Sequence, residues 1–174
     1  VEHIQGRGRV VGPGKVEVET SDGTQIVLAT DIVVASGSEP AGIPGFEFGP
    51  KVWSSTEALA PTELPKAMVI IGGGVIGMEL GMFYAQVGTD VTVIEYADQI
   101  LPGTDPELVK VVQRKAKKSG IKIHVSAAAK SWKDAGKGVD VEVEIKGKTQ
   151  SFKGDCILLT TGRKPVSQNM GLAE

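Results

Sequence analysis

Apolar positions recur along this chain of 174 residues in three successive rhythms, and each change of rhythm predicts a change of architecture. The first 35 residues or so read as short strands. Arg9-Val10-Val11 is followed by Lys15-Val16-Glu17-Val18-Glu19-Thr20, where apolar and polar positions alternate with period two. The turn Ser21-Asp22-Gly23-Thr24 leads into Gln25-Ile26-Val27-Leu28. A continuous apolar strand is expected over Asp31-Ile32-Val33-Val34-Ala35, halting at Ser36-Gly37-Ser38. Residues 39–66 are rich in Pro and Gly and carry a single short helix signal, Ser55-Thr56-Glu57-Ala58-Leu59, so they read as a linker.

An α/β rhythm follows: strand 67–71, helix 75–88, strand 90–95. Asp105 is placed as an N-cap with Pro106 at the first helical position, opening a helix that Gly120 ends. Ile121-Lys122-Ile123-His124-Val125 and the run from Ala127 to Trp132 come next. The alternating segments Val139 to Ile145 and Thr149 to Phe152 predict a hairpin closed near Lys146-Gly147-Lys148. The last strand, Asp155 to Leu159, ends at Thr160-Thr161-Gly162-Arg163-Lys164-Pro165. The predicted fold class is α/β, a Rossmann-like βαβαβ parallel sheet with an antiparallel β insertion before its final strand.

The chemistry concentrates where the first strand of that unit meets its helix. Val69-Ile70-Ile71 runs into Gly72-Gly73-Gly74-Val75-Ile76-Gly77, and the second strand closes on Glu95, 18 residues beyond Gly77. Strand, Gly-x-Gly-x-x-Gly turn, helix, and strand ending in an acid make up a dinucleotide-binding fingerprint. Gly72 permits the sharp turn, Gly74 a close backbone approach to a pyrophosphate, and Gly77 tight helix–strand packing. The helix aims its unpaired N–H groups and positive dipole end at the phosphates. Glu95 is expected to accept from both hydroxyls of the adenosine ribose. A 2′-phosphate there would meet a like charge, so NAD is favoured over NADP. The competing reading of the same pattern is a glycine-rich turn without a ligand.

Composition removes several alternatives. With 19 Lys and Arg against 21 Asp and Glu the chain has no basic footprint for nucleic acid or an anionic membrane. The basic run Arg114-Lys115-Ala116-Lys117-Lys118 falls at a helix end, where cations complement the macrodipole, and reads as a solvated face. The longest apolar stretch, Ala67 to Leu80, is broken by glycines and Glu79 and is not a membrane span. Cys156 is the single cysteine and reads as a buried strand residue, which fits a reducing compartment. Val1-Glu2-His3 is neither a start methionine nor a signal peptide, and it points to a fragment.

Taken in order, the landmarks resemble the central portion of a flavoprotein disulfide reductase of the pyridine nucleotide-disulfide oxidoreductase family. Ala35-Ser36-Gly37-Ser38-Glu39-Pro40 resembles the family's Ala-Thr-Gly-Ser element, with Ser36 in place of Thr. Ser54-Ser55-Thr56-Glu57-Ala58-Leu59 resembles the crossover into the NAD domain. Gly72 to Gly81, Glu95 and Gly162-Arg163-Lys164-Pro165 resemble the later landmarks. NADP-using relatives carry basic residues after the second strand, whereas Glu95-Tyr96-Ala97 is similar to the NAD-dependent lipoamide branch. The resemblance divides the chain into the end of a FAD domain (1–44), a crossover (45–65), an NAD domain (66–162) and a return segment (163–174). It implies that Gly72, Gly73, Gly74, Val75, Ile76 and Gly77 hold the NAD pyrophosphate and Glu95 the ribose. Ala129 would line the adenine pocket, Gly162 the nicotinamide end, and Glu79 would stand beside the nicotinamide. Read from the residues alone, Glu79 is equally a first-turn carboxylate of the helix. For FAD the resemblance assigns Gly8, Ser36, Gly37 and Ser38. His3 and His124 match no family position.

What the resemblance lacks matters as much. The family's first glycine motif, its redox-active cysteine pair, its later acidic FAD motif and its His-Glu pair are missing from these 174 residues. No catalytic residue and no metal ligand is therefore assigned to this chain. The implied parent is an NAD- and FAD-dependent oxidoreductase, a homodimer of the cytoplasm or mitochondrial matrix, possessing a redox-active center and serving a 2-oxoacid dehydrogenase complex. By itself this chain is expected to be inactive and to lack FAD. Two alternatives stay open: another NADH-dependent flavin disulfide reductase, such as a mercuric or coenzyme A disulfide reductase, and a free-standing NAD-binding module. An unfinished FAD domain should leave an apolar face on the N-terminal strands unless another chain covers it. In a monomer, hydrogen exchange should be markedly slower over residues 68–95 than over 10–35. Equal protection of the two stretches would remove that expectation.

Overall fold

The computed structural model describes residues 1–172, and they fall into two compact units, residues 1–39 with 164–172 and residues 40–163. In the first unit β1 (Arg7–Gly12), β2 (Lys15–Thr20) and β3 (Gly23–Leu28) form an antiparallel meander. The register pairs Val10 with Val16 and Val18 with Gln25, so the alternation read from the sequence does set the faces. Among the described residues of this unit only Val18 is a fully buried hydrophobic, while Ile26, Leu28, Val33 and Val34 are exposed. β4 (Ser38–Pro40) follows.

The strand expected over Asp31–Ala35 does not form; the chain there carries no regular secondary structure, and Val33 is 88% exposed. An apolar β-prone run becomes a strand only when another strand satisfies its N–H and C=O groups, and no described strand lies beside this one. The expected apolar exposure of the N-terminal segment is present.

The second unit is built on β5 (Val52–Trp53), α1 (Ser55–Leu59), β6 (Ala67–Ile71), α2 (Val75–Gln86), β7 (Asp90–Ile94), α3 (Pro106–Lys118) and β8 (Lys122–His124). Then come β9 (Ala127–Asp134), β10 (Val139–Ile145), β11 (Lys148–Gly154) and β12 (Cys156–Leu159); β13 (Arg163–Pro165), whose last two residues belong to the first unit, pairs with β4. The central sheet has five strands in the order β5-β12-β6-β7-β8, parallel throughout. Strands buried on both faces need continuous apolar runs, and Met68-Val69-Ile70-Ile71 and Cys156-Ile157-Leu158-Leu159 supply them.

Alternation along these strands divides the core. Met68, Ile70, Val91, Val93 and Leu158 pack with Met78 and Tyr84 of α2 and Val109 and Ala116 of α3. Val69, Ile71, Ile94, Ile157 and Leu159 face the other way, onto Val139, Val141 and Val143 of β10. Helices thus cover one side and the β11-β10-β9 sheet the other, as the predicted insertion requires. Each such buried side chain contributes roughly 1.5–3 kcal/mol. The segment read as a linker supplies buried Phe46, Val52 and Ala58 to this core, and β5 adds an edge strand that the sequence pattern does not announce.

Local signals explain the element ends. Ser54 and Glu57 form a capping box on α1, and the Ser54 hydroxyl bond holds the Glu57 carboxyl below its ordinary value. Asp105 caps α3 by accepting from Glu107 N at 2.8 Å, with Pro106 at its first position. The β10–β11 turn places Lys146 and Gly147 at φ 52° and 73°, the left-handed pair a two-residue hairpin prefers. Tyr84 OH donates to the Ala58 carbonyl at 2.7 Å, joining α2 to α1.

Cys156 lies in the middle of this core, and burial, with Asp155 adding to it, pushes its thiol up to about 12 from an ordinary 9.0. The folded state therefore keeps the proton that the unfolded chain loses, and its contribution to stability is complete below pH 9 and lost as pH rises towards 12. The folded chain should resist maleimide at pH 8 and react on unfolding. Denaturant titrations across the alkaline range should lose this pH dependence in Cys156→Val.

Candidate functional site

Three strand ends and one helix start converge at one edge of the parallel sheet. β6 ends at Ile71 and the chain swings away at Gly72, whose φ of 106° favours glycine. A Cβ on Gly72 would lie 2.5 Å from the Thr160 carbonyl oxygen, and one on Gly77 would overlap the Gly72 carbonyl oxygen and lie 2.7 Å from Thr160 Oγ1. The first turn of α2 therefore sits against the ends of β6 and β12 with no side chain between. Thr160 completes the contact: its hydroxyl donates to the Gly72 carbonyl at 2.8 Å, and its N–H to the Ile71 carbonyl at 2.8 Å.

Gly74 is the N-cap of α2 and offers no side chain to the free N–H groups of the first turn, which also carries no acidic residue. A Cβ on Gly74 would meet nothing within 4 Å. Close packing thus explains Gly72 and Gly77, whereas open space in front of the helix explains Gly74.

Glu95 follows β7 and is 7% exposed. Its Oε2 accepts from Gly73 N at 2.6 Å and its Oε1 from Ala97 N at 2.7 Å. Each oxygen keeps acceptor capacity for a further donor.

A cleft of about 750 Å³ opens in front of these groups, within the usual range of small-molecule sites. Gly72, Gly74, Val75, Ile76, Glu95, Ala129 and Gly162 all line it. Gly73 and Gly77 are buried behind the lining. Glu79 does not line the cleft; it lies past the first turn of α2 and is exposed, so the first-turn reading does not apply. Thr160, Thr161, Pro102, Tyr96 and Lys130, to which the sequence assigns no individual site role, also line the cleft. The strand-to-Thr-Thr-Gly break was a signal for the threonines, but their contacts to β6 depend on sheet order. Tyr96, 82% exposed, follows Glu95 directly, and Lys130 pairs with Glu144 at 3.5 Å.

The residues assigned to FAD lie in the first unit. Gly8 stands opposite Val18 in the β1–β2 ladder. Ser36 Oγ donates to the Val166 carbonyl, and Val166 N donates to the Gly37 carbonyl at 3.1 Å, so these polar groups are engaged by the chain itself. Gly37 has a φ of 78° and Ser38 opens β4. His124 packs its ring 4.7 Å from that of Phe152, and burial lowers its pKa, as suits a neutral structural histidine.

A parallel sheet, a glycine turn at its carboxyl edge, an uncapped helix start and a buried acid define a Rossmann-type α/β domain. The chain belongs to the pyridine nucleotide-disulphide oxidoreductase family, whose sequence pattern it matches over residues 1–174. It is 37% identical over 175 residues to a dihydrolipoyl dehydrogenase of Bacillus subtilis, covering 100% of this chain and 37% of that protein. With dihydrolipoyl dehydrogenase 3 of Pseudomonas putida the identity is 39%, over 99% of this chain and 38% of the relative. The chain therefore spans little more than a third of the curated relatives it matches. Among solved structures, LpdA of Mycobacterium tuberculosis superposes with a TM-score of 0.84 at 26% identity, over 97% of this chain and 38% of that one. The HOCl-induced flavoprotein disulfide reductase RclA of Escherichia coli gives 0.81 at 25%, over 96% and 37%.

The glycines generate opposite expectations. Gly77→Ala should destabilise the fold by about 1–3 kcal/mol through overpacking. Gly74→Ala should stay within about 0.5 kcal/mol of the parent. Thermal denaturation of the two variants checks the contrast.

Proposed function

We propose that the cleft binds NAD and that this chain is the NAD-positioning portion of a flavin-dependent dihydrolipoamide dehydrogenase. The observation that carries the reading is the shared cleft of an uncapped α2 N-terminus, open space at Gly74 and the buried Glu95 carboxylate. Free N–H groups and the helix dipole suit a pyrophosphate, and the carboxylate suits ribose hydroxyls. Gly72, Gly74, Val75 and Ile76 would hold the phosphates, Glu95 the ribose, Ala129 the adenine wall and Gly162 the nicotinamide end. The assignment of Glu79 to the nicotinamide rests on the resemblance alone, as do those of Gly8, Ser36, Gly37 and Ser38 to FAD.

The chemistry such a dinucleotide supplies is hydride acceptance at its nicotinamide, here from reduced flavin. The chain's own part is to bind and orient. Its one cysteine, buried and held protonated, offers no dithiol, which supports the reading that the chain by itself does not turn over. The parent's homodimer, its 2-oxoacid dehydrogenase complex and its reducing compartment belong to the same proposal. The likeness to RclA keeps a flavin reductase of another disulfide as the second reading.

Titration of the chain with reduced cofactors tests the site. NADH should bind and NADPH should bind at least about tenfold more weakly, about 1.4 kcal/mol or more of discrimination. A chain that binds neither, or both equally, overturns the NAD assignment.

A further inference from the structure

Recognition of a ribose by Glu95 requires acceptor oxygens facing the cleft; it does not require the two bonds the carboxylate already makes inside the chain. Those bonds reach the central residue of the glycine turn, Gly73, and the first residues after β7, at Ala97. Gly73 is gripped elsewhere too. Its carbonyl accepts from Leu101 N at 2.8 Å, and a Cβ there would press to 3.0 Å from Ile100 and 3.2 Å from Glu95. The platform carrying Glu95 is itself fixed, because Glu95 N donates to the His124 carbonyl and Ala127 N to the Glu95 carbonyl, at 2.8 and 2.9 Å.

We propose that Glu95 is a positioning residue for the phosphate-binding turn: its buried carboxylate clamps Gly73 to the end of β7 and so holds the turn open ahead of α2 before any ligand arrives. The proposal rests on the dinucleotide reading of the cleft and extends it, because affinity for the phosphates then depends on a side chain that need not touch them. A carboxylate serves both N–H donors as an acceptor. A carboxamide has one acceptor oxygen, and its NH2 would confront one of the two donors.

The test uses the full chain and Glu95→Gln. Gly73 and Ala97 amides should be protected in the parent, and at least one of them should exchange about tenfold or more faster in the variant, as loss of a charge-assisted bond implies. NADH and its analogue carrying 2′,3′-dideoxyadenosine should both bind the variant about tenfold more weakly than the parent. Equal affinity of parent and variant for the dideoxy analogue overturns the proposal and leaves Glu95 a hydroxyl acceptor only. Unchanged exchange of both amides overturns it as well. If the parent binds neither ligand, the NAD reading fails, and Gly73 exchange alone decides whether the clamp exists. Should the variant not fold, the parent decides: a rapidly exchanging Gly73 amide in the ligand-free chain would falsify the clamp.

Discussion

The closeness of α2 to the ends of β6 and β12 is the constraint on which the rest of the second unit depends. Backbone meets backbone there, with Gly72 and Gly77 leaving room and Thr160 bonding the Gly72 carbonyl across the gap. This brings the start of a 12-residue helix to the carboxyl edge of the sheet. Strand order does the remainder. From β6 the chain proceeds outward through β7 and β8, then returns on the other side as β12, so β6 and β12 flank the point where the order reverses. In open α/β sheets that reversal leaves a crevice outside the strand ends. The cleft lined by Gly72 and by Thr160 to Gly162 is that crevice.

Packing and site are not separate features here. The antiparallel β9-β10-β11 sheet covers the face of the parallel sheet that the helices leave bare, through Val139, Val141 and Val143. The same insertion begins with Ala127 to Lys130, which wall the cleft opposite the glycine turn. An insertion needed to bury Val69, Ile71, Ile157 and Leu159 therefore also shapes the side of the site. On the opposite face Gly81 would bring a Cβ to 3.0 Å from Ile70, so α2 lies low along much of its length.

What the sequence disclosed was whatever a local pattern determines. Ala67–Ile71, the Asp105-Pro106 start of α3 and the Lys146-Gly147 turn were readable because period, cap and left-handed turn residues act within a few positions. Long-range features were not readable in the same way. Val52–Trp53 is a strand only because β12 lies beside it, and Asp31–Ala35 is not a strand because nothing described does. The site followed the same division. Gly72, Gly74, Glu95, Ala129 and Gly162 were foreseen from motif and resemblance, and they do share a cleft. The Thr160-Thr161-Gly162 break marks a close backbone approach in the sequence, but the bonds Thr160 makes exist only once β12 is paired with β6. Glu79 could be assigned to the helix from the pattern, but the direction it faces depended on how α2 packs.

A buried carboxylate without partners is costly, since an unpaired charge is driven out or neutralised. At Glu95 two backbone N–H groups, those of Gly73 and Ala97, act as the partners. Each such charge-assisted bond is worth about 1.5–3 kcal/mol, enough to offset much of the burial. The acid and the turn are then mutually dependent: the turn supplies the donor that makes a buried acid tolerable, and the acid gives the turn's central amide its acceptor. If the cleft holds the proposed dinucleotide, specificity at this position would be hard to alter by charge reversal alone. A basic residue at 95 would remove a repulsion toward a 2′-phosphate, but it would also leave Gly73 N without its acceptor and place a second donor against it. On the proposed dinucleotide reading, cofactor preference and turn geometry would thus rest on one side chain.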